Sequence, residues 1–197
     1  VPARVFRISF SGERAYEINV PANFGRVVWD AVFAAGKPFD ITPYGTETMH
    51  VLRAEKGFVI VGQDTDGSVT PHDLGMSWIV AKHKDFLGRR SLSRSDCVRP
   101  GRKQLVGLLT EDPTVVLPEG AQLVNEAFTS LPVPMVGHVT SSYWSASLGH
   151  SIALALVKGG HAREGDTIYA PLVDGRLVPA KIGPTVFYDV EGVRQNG

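Results

Sequence analysis

The chain opens with two short runs in which apolar residues occupy every second position. The first run covers residues 6–10 and the second covers residues 16–20. Two runs of period two that flank a segment containing Gly12 predict a β-hairpin, because glycine favours the turn between them. The turn places Glu13 at its tip, and Glu17 follows inside the second run on the polar face.

The period then changes to that of an amphipathic helix. Apolar residues recur at three- and four-residue steps over residues 24–35, with Asn23 as the predicted N-cap and Gly36 as the stop. A second helix is predicted in "YGTETMHVLRAEKG", closed by Gly57. Of the two segments that follow, "FVIVGQD" is predicted as a short buried strand or an extended segment. The next, "TPHDLGMSWIVA", is predicted as a strand-like run ending at Lys82.

A basic stretch, residues 88–103, separates this part from the rest of the chain. It has few apolar residues and no aromatic residue for stacking, so we favour a solvated linker over a nucleic-acid patch. Short β-rich runs follow, from "QLVGLLT" to "TVFYDV", and predict a barrel or sandwich. The predicted class is α+β, with an α+β segment at residues 1–90, a linker at 91–103, a β-barrel domain at 104–190 and a tail at 191–197.

Composition narrows the classes of function. The 197 residues contain 20 Lys plus Arg and 20 Asp plus Glu, so no basic excess points to nucleic acid or anionic lipid. The sequence has no apolar run long enough for a membrane span and no signal peptide, which leads us to expect a cytoplasmic protein. It begins without Met, close to a strand pattern, which suggests a fragment of a longer protein or a processed chain. Cys97 is the only cysteine, which excludes an internal disulfide, and we interpret it as incidental rather than catalytic.

Common catalytic motifs are missing from the sequence. The six histidines lack the spacing of a helical metal site, so no metal is predicted. The chain contains neither the "GxSxG" elbow of a hydrolase nor a dinucleotide-binding fingerprint.

Three charged residues remain as candidates for ligand binding: Glu13, Glu17 and Arg53. A glutamate at a hairpin tip is usually solvated, and an arginine on a helix usually pairs with its helix neighbours. Alternatively, a carboxylate can accept two parallel N–H bonds from an amidine-like edge, such as the 2-amino-pyrimidinone edge of a pterin. Arg53 would then contact the carbonyl of the ligand or a terminal carboxylate. The residues alone leave both interpretations open.

Five short motifs, taken in order, resemble the aminomethyltransferase family, which has the glycine-cleavage T-protein fold. They are "SGERAYEINVP", "VLRAEKGFVIVGQD", "TPHDLGMSW", "KHKDFLGRRSL" and "GHVTSSYWSASLGHSIALALV". Each motif alone is weak evidence for the family, but the five motifs together, in the order of the family, are specific evidence. Within the family, the last motif and the tail "PTVFYDVEGVRQNG" are most similar to the carboxy-terminal region of the α subunits of heterotetrameric sarcosine oxidases.

The resemblance implies a partial T-protein-like folate-binding domain followed by a small carboxy-terminal β-barrel. Glu13 matches the glutamate of the family's TGE turn, and Arg53 matches the arginine of its LR-x-E motif. Tyr16 and Glu17 match the GYE positions, with Ala15 where glycine is usual. These matches imply that Glu13, Arg53, Tyr16 and Glu17 bind folate. No catalytic residue is assigned, because the family's catalytic aspartate lies in an amino-terminal portion that this chain does not contain.

The resemblance also implies a function, that of the tetrahydrofolate-binding region of a sarcosine oxidase. Such an enzyme demethylates sarcosine oxidatively and passes the one-carbon unit to tetrahydrofolate, and we expect the fragment alone to be inactive. FMN, FAD and NAD are expected only in the complete enzyme, and the expected partners are the remainder of the same subunit, the flavin-bearing β subunit and the other subunits. The alternatives are a T-protein-like aminomethyltransferase or demethylase, or a non-catalytic interface module that exposes Trp144 and Phe187.

Overall fold

The computed structural model describes residues 1–127 and 132–196. Residues 128–131, which fall in the predicted barrel domain, and residue 197 of the predicted tail lie outside the described residues. The chain forms two compact units. We call Val1–Arg53 with Glu191–Gly197 the hairpin unit, and Ala54–Val190 the barrel unit.

The predicted hairpin is confirmed, but its strands are short. Strand β1 (Arg4–Phe6) pairs antiparallel with β2 (Glu17–Asn19), and Val5 lies opposite Ile18. The connection is longer than the pattern predicts because Gly12 has a φ of 84°, and its N–H donates to Ser9 Oγ at 3.0 Å. This local turn bends the chain out of the ladder before the alternating positions end.

Both predicted helices are present, with boundaries that differ from the prediction. Helix α1 spans Gly25–Gly36, and helix α2 spans Thr46–Glu55. The N-cap of α1 is Phe24, so the prediction of Asn23 was wrong, because a 3₁₀ turn at Ala22–Phe24 precedes the helix. A second 3₁₀ turn, Lys37–Phe39, extends the far end beyond the predicted stop at Gly36.

The predicted strand ending at Lys82 was wrong. The segment consists of turns and a 3₁₀ helix at Ser77–Ile79. Asp73 Oδ2 accepts hydrogen bonds from the N–H and the hydroxyl of Thr70, each at 2.8 Å, and Gly75 has a φ of 71°. This turn chemistry prevails over the apolar run that follows it.

The basic stretch is more ordered than a solvated linker. It contains a 3₁₀ helix at Arg89–Ser93 and a one-turn helix, α3, at Ser95–Val98. Most of its side chains are exposed, but Arg102 is buried.

Six strands of the described residues form one antiparallel sheet that nearly closes on itself. They are β3 (Lys103–Thr110), β4 (Gln122–Leu123), β5 (Gly137–Ser145), β6 (His150–Lys158), β7 (Thr167–Pro171) and β8 (Leu177–Gly183). Their order is β4-β5-β6-β3-β8-β7. Val124 and Tyr169 exchange two backbone hydrogen bonds, at 2.9 and 3.0 Å, between the two edges. The predicted barrel is therefore confirmed.

The barrel encloses a continuous apolar core, and a smaller cluster packs on its outer surface. The inner cluster includes Leu108, Leu123, Val139, Ile168 and Ile182, together with eight further buried residues. The outer cluster is formed by Leu105, Leu154 and Leu156 with partly buried Val59, Val69, Leu74 and Phe187.

The last predicted β-run, "TVFYDV", was wrong. Residues 185–190 are all described and form no strand. The N–H groups of Phe187 and Tyr188 both donate to the carbonyl of Glu55, at 2.9 and 3.1 Å. A short helix, α4 (Val193–Asn196), follows and belongs to the hairpin unit. Of the helices described, none is both long and apolar enough to span a membrane.

Candidate functional site

Glu13 lies beside a small polar cavity in the hairpin unit. The cavity has a volume of about 260 Å³. Its lining comes from the hairpin connection and the carboxy-terminal segment: Arg7, Ser9, Glu13, Arg14, Ala15, Gln195 and Asn196. Strand β1 ends at Phe6, and residues 7–16 form a loop instead of continuing the ladder. This loop supplies the first part of the cavity lining.

Glu13 forms an ion pair that the sequence did not predict. Arg194 Nε donates to Glu13 Oε1 at 2.5 Å, and both side chains are about half exposed, 52% for Arg194 and 43% for Glu13. Arg14 N–H donates to the carbonyl of Arg194 at 3.0 Å, which keeps the two segments adjacent. The pair joins positions 181 residues apart, and no periodicity in the tail signals it.

Two further arginines bind the backbone of the carboxy-terminal segment. Arg7 donates to the carbonyl of Gln195 at 2.9 Å, and the guanidinium of Arg14 donates to the carbonyl of Asn196. The lining of the cavity therefore combines one carboxylate, that of Glu13, with two arginines, Arg7 and Arg14. It can accept an N–H donor at Glu13 and attract negative charge around it.

The other predicted folate-binding residues lie elsewhere. Tyr16 is exposed, and Glu17 is exposed on β2 opposite Phe6. Arg53 is fully buried in the last turn of α2. Among the described residues, the lining of the Glu13 cavity does not include Arg53, Tyr16 or Glu17.

The residues that follow Arg53 hold the barrel unit together. Glu55 is buried and accepts a hydrogen bond from Ser145 Oγ at 2.6 Å, on β5. Lys56 forms a buried ion pair with Asp189 Oδ2 at 3.0 Å. These contacts give the "LRAEKG" motif a structural role, because buried polar groups are retained only where they have partners.

Two other motifs that carry the family resemblance form hydrogen bonds with each other. Asp64 of "VGQD" is fully buried and accepts hydrogen bonds from the hydroxyls of Thr140 and Ser141, each at 2.6 Å. It also accepts the N–H of Ile60 at 2.9 Å. The "GQD" and "HVTSS" segments therefore fasten a loop onto β5.

The "TPHDLG" motif carries a buried ion pair. Arg102 Nη2 lies 2.7 Å from Asp73 Oδ2, and Arg102 Nε also donates to Asp73. Burial alone would raise the pKa of Asp73, but the hydrogen bonds from Arg102 and Thr70 outweigh it and hold the pKa below its usual range. The basic stretch is thus bound to the turn before it by one of its own arginines.

A larger cavity in the barrel unit offers less chemistry. It has a volume of about 410 Å³ and a largely apolar lining that includes Ile79, Phe86 and Leu87, with Lys84 as its charged member. In the described part of the chain, no cluster of three or more His, Cys, Asp or Glu side chains is arranged to hold a metal ion.

Two family models match the chain. Residues 1–84 match the GCVT N-terminal domain, and residues 103–189 match the glycine cleavage T-protein C-terminal barrel domain. The chain therefore belongs to the glycine cleavage T-protein family.

Curated relatives carry two kinds of name. The chain is 56% identical over its whole length to the sarcosine oxidase subunit alpha of Corynebacterium sp. (strain U-96), covering 20% of that protein. It is 40% identical to the subunit of the same name from Rhizobium meliloti (strain 1021), over 96% of the chain and 19% of the relative. The aminomethyltransferase of Thermotoga petrophila is 31% identical over 95% of the chain and 49% of the relative. The chain thus spans about a fifth of the first two relatives and about half of the third.

A solved structure agrees with the fold. The glycine cleavage system aminomethyltransferase T of Bartonella henselae superposes with a TM-score of 0.80 over 94% of this chain and 49% of that one. The sequence identity is 22%, so this likeness concerns the fold alone. The resemblance to the T-protein family and to sarcosine oxidase α subunits is confirmed.

Proposed function

We propose that this chain is the tetrahydrofolate-binding segment of a sarcosine oxidase α subunit. The observation that carries the proposal is the 56% identity to such a subunit over the entire chain. The position of Glu13 beside a polar cavity supports the ligand, because its carboxylate suits the paired N–H donors of a pterin.

In this proposal Glu13 binds the 2-amino-pyrimidinone edge of the pterin. The cavity of about 260 Å³ is smaller than the roughly 300–1,000 Å³ of typical ligand pockets, so it fits a head group rather than a whole folate. Tyr16 and Glu17 support the site from the end of the hairpin loop and the start of β2. Arg53 remains a proposed folate contact, and its complete burial means that its guanidinium must become accessible for that contact to form.

The proposed reaction involves the complete enzyme. Sarcosine is oxidised at a flavin, and tetrahydrofolate captures the one-carbon unit as 5,10-methylenetetrahydrofolate. The residues of this chain bind and orient the folate, while flavin and NAD belong to other parts of the assembly. The proposed partners are the remainder of the subunit and the flavin-bearing subunits.

A second candidate is an aminomethyltransferase or demethylase without a flavin partner. The 31% identity to an aminomethyltransferase over half of its length favours it. Purification of the complete subunit from its natural source separates the two, because a bound flavoprotein supports the oxidase and its absence supports the transferase. An interface role is a third candidate, since Trp144 is 44% exposed on β5.

Calorimetric titration with tetrahydrofolate under anaerobic conditions tests the site. A hydrogen bond to a charged group contributes about 1.5–3 kcal/mol, so Glu13→Gln should weaken binding at least about tenfold. Arg53→Ala tests the proposed contact between Arg53 and the folate. Glu111→Gln is the matched control, because Glu111 is an exposed carboxylate of the barrel unit. Unchanged affinity in both Glu13→Gln and Arg53→Ala, in this chain and in the complete subunit, would show that the site assignment is wrong.

A further inference from the structure

The guanidinium of Arg194 donates to the carboxylate of Glu13, which is the group that we propose binds the ligand. Its Nε–H points to Glu13 Oε1 at 2.5 Å, within hydrogen-bonding distance. A guanidinium presents N–H donors in a planar fork, and the 2-amino-pyrimidinone edge of a pterin presents N–H donors in a similar plane. Both groups therefore seek the same carboxylate.

We propose that Arg194 is an internal competitor for Glu13, so that a pterin binds only by displacing its side chain. The proposal rests on the proposed function of Glu13. It makes Arg194 a determinant of specificity: a ligand with two parallel N–H donors replaces the arginine, whereas a ligand with a single donor binds poorly.

The ion pair is weak enough to be displaced. Glu13 and Arg194 are each about half exposed, and exposed pairs contribute little because water and salt screen them. A buried pair such as Asp73–Arg102 would instead resist exchange. Arg194 is thus a competitor that lowers affinity without abolishing it.

The Arg194 side chain can move without detaching the carboxy-terminal segment. The backbone of the segment is held separately, by Arg7 at Gln195 and by Arg14 at Asn196. The N–H of Arg14 also holds the carbonyl of Arg194. Displacement by a ligand therefore needs only a change of the Arg194 side-chain conformation, and the cavity lining stays in place.

The opposite role, in which Arg194 contacts the ligand directly, predicts the opposite sign. Removal of a competitor raises the affinity for the ligand, whereas removal of a contact lowers it. Titration of Arg194→Ala with tetrahydrofolate therefore distinguishes the two roles. The matched control is Arg176→Ala, since Arg176 forms an exposed ion pair with Asp174 in the barrel unit.

We expect Arg194→Ala to bind tetrahydrofolate up to about fivefold more tightly than the unmodified chain, the limit for an exposed ion pair. This gain in affinity should shrink as the salt concentration rises, because salt screens the Glu13–Arg194 ion pair in the unmodified chain and weakens the competition. It should vanish in the Glu13→Gln background, where the arginine has no carboxylate to occupy. Unchanged or weaker binding by Arg194→Ala would overturn the proposal.

The Glu13→Gln result separates this proposal from the proposed function. If Glu13→Gln weakens binding and Arg194→Ala fails to tighten it, the competition alone is refuted. If Glu13→Gln binds as the unmodified chain does, the site assignment fails and the competition fails with it. Binding by Arg194→Ala under conditions where the unmodified chain shows none would support both. No binding by either protein, in this chain and in the complete subunit, would refute both.

Discussion

The two units of the chain differ in how they use apolar residues. In the barrel unit, the inner cluster buries residues such as Leu108 and Ile168 completely, and the sheet nearly closes around them. In the hairpin unit, every residue of α1 is at least partly exposed, with Val27 at 59% and Trp29 at 57%. Among the described residues, α1 contributes no side chain to either buried apolar cluster. The barrel unit has its own apolar core, whereas apolar side chains of α1 in the hairpin unit are exposed.

The polar residues show a similar contrast, with the exception of Arg53, which belongs to the hairpin unit and is fully buried. In the barrel unit, charged side chains such as Asp64 and Asp73 are buried with partners and fasten loops to strands. In the hairpin unit, Glu13 and its arginine are half exposed beside a cavity. The buried polar contacts thus stabilise the barrel unit, whereas the ligand binding that we propose belongs to the hairpin unit. Variants of each unit test that division.

The largest effect is expected from breaking the buried ion pair. Asp73→Asn removes the buried charged partner of Arg102 and leaves it only the exposed carboxylate of Asp96, which should lower the free energy of unfolding by up to about 3–5 kcal/mol. Urea denaturation measures the loss. The control is Asp174→Asn, which removes an exposed ion pair and should leave the midpoint unchanged.

An Asp73→Leu, Arg102→Met double variant sharpens this result. It removes both charges, so it should be more stable than Asp73→Asn, because no uncompensated charge remains buried. A double variant less stable than Asp73→Asn would contradict the ion-pair explanation.

The second prediction compares the apolar residues of the two units. Leu108→Ala removes a fully buried side chain from the barrel interior and should cost about 2–5 kcal/mol. Val27→Ala in the exposed face of α1 should change stability by no more than about 0.5 kcal/mol. Urea denaturation of both variants checks the difference. Equal losses would show that the face of α1 is covered in solution.

The third prediction concerns pH. The pKa of Asp73 is lowered in the folded protein, so its ionised form contributes stability above the unfolded value of about 3.9 and loses it as the pH falls through the folded value. The difference in stability between the unmodified chain and Asp73→Asn should therefore narrow below about pH 4. Urea midpoints measured from pH 3 to pH 7 check this, and a constant difference would contradict it.

Periodicity predicted the parts of the fold in which local and tertiary preferences agree. The hairpin, α1 and α2 follow from period-two and period-3.6 patterns, and the barrel follows from short β-rich runs. The failures lie where a short polar motif controls the backbone. Thr70 and Asp73 impose a turn on a segment predicted as a strand, and Glu55 holds the final apolar run out of the sheet. The first of these contacts is local but lies in polar residues that the apolar pattern does not show, and the second joins residues far apart in sequence.

The candidate site was less accessible to sequence reasoning. Glu13 came from the resemblance to a family, because a glutamate at a turn is by itself unremarkable. Arg194 was missed, since it reaches Glu13 across 181 residues from a tail without periodicity. Arg102 was assigned to a solvated linker because only the folded chain shows that it pairs with Asp73. The ligand-binding role of Glu13, Arg53, Tyr16 and Glu17 stays a prediction.

The smallest effect is expected within α1. Trp29 and Phe33 stack one helical turn apart, with ring centroids 5.6 Å apart and an interplanar angle of 25°. Such a pair contributes about 0.5–1.5 kcal/mol beyond its buried area. A double-mutant cycle of Trp29→Ala and Phe33→Ala, read by hydrogen exchange of the α1 amides, should show a coupling of that size. Additive effects would show that the rings do not interact in solution, and that the exposed face of α1 is not ordered by its own aromatic residues.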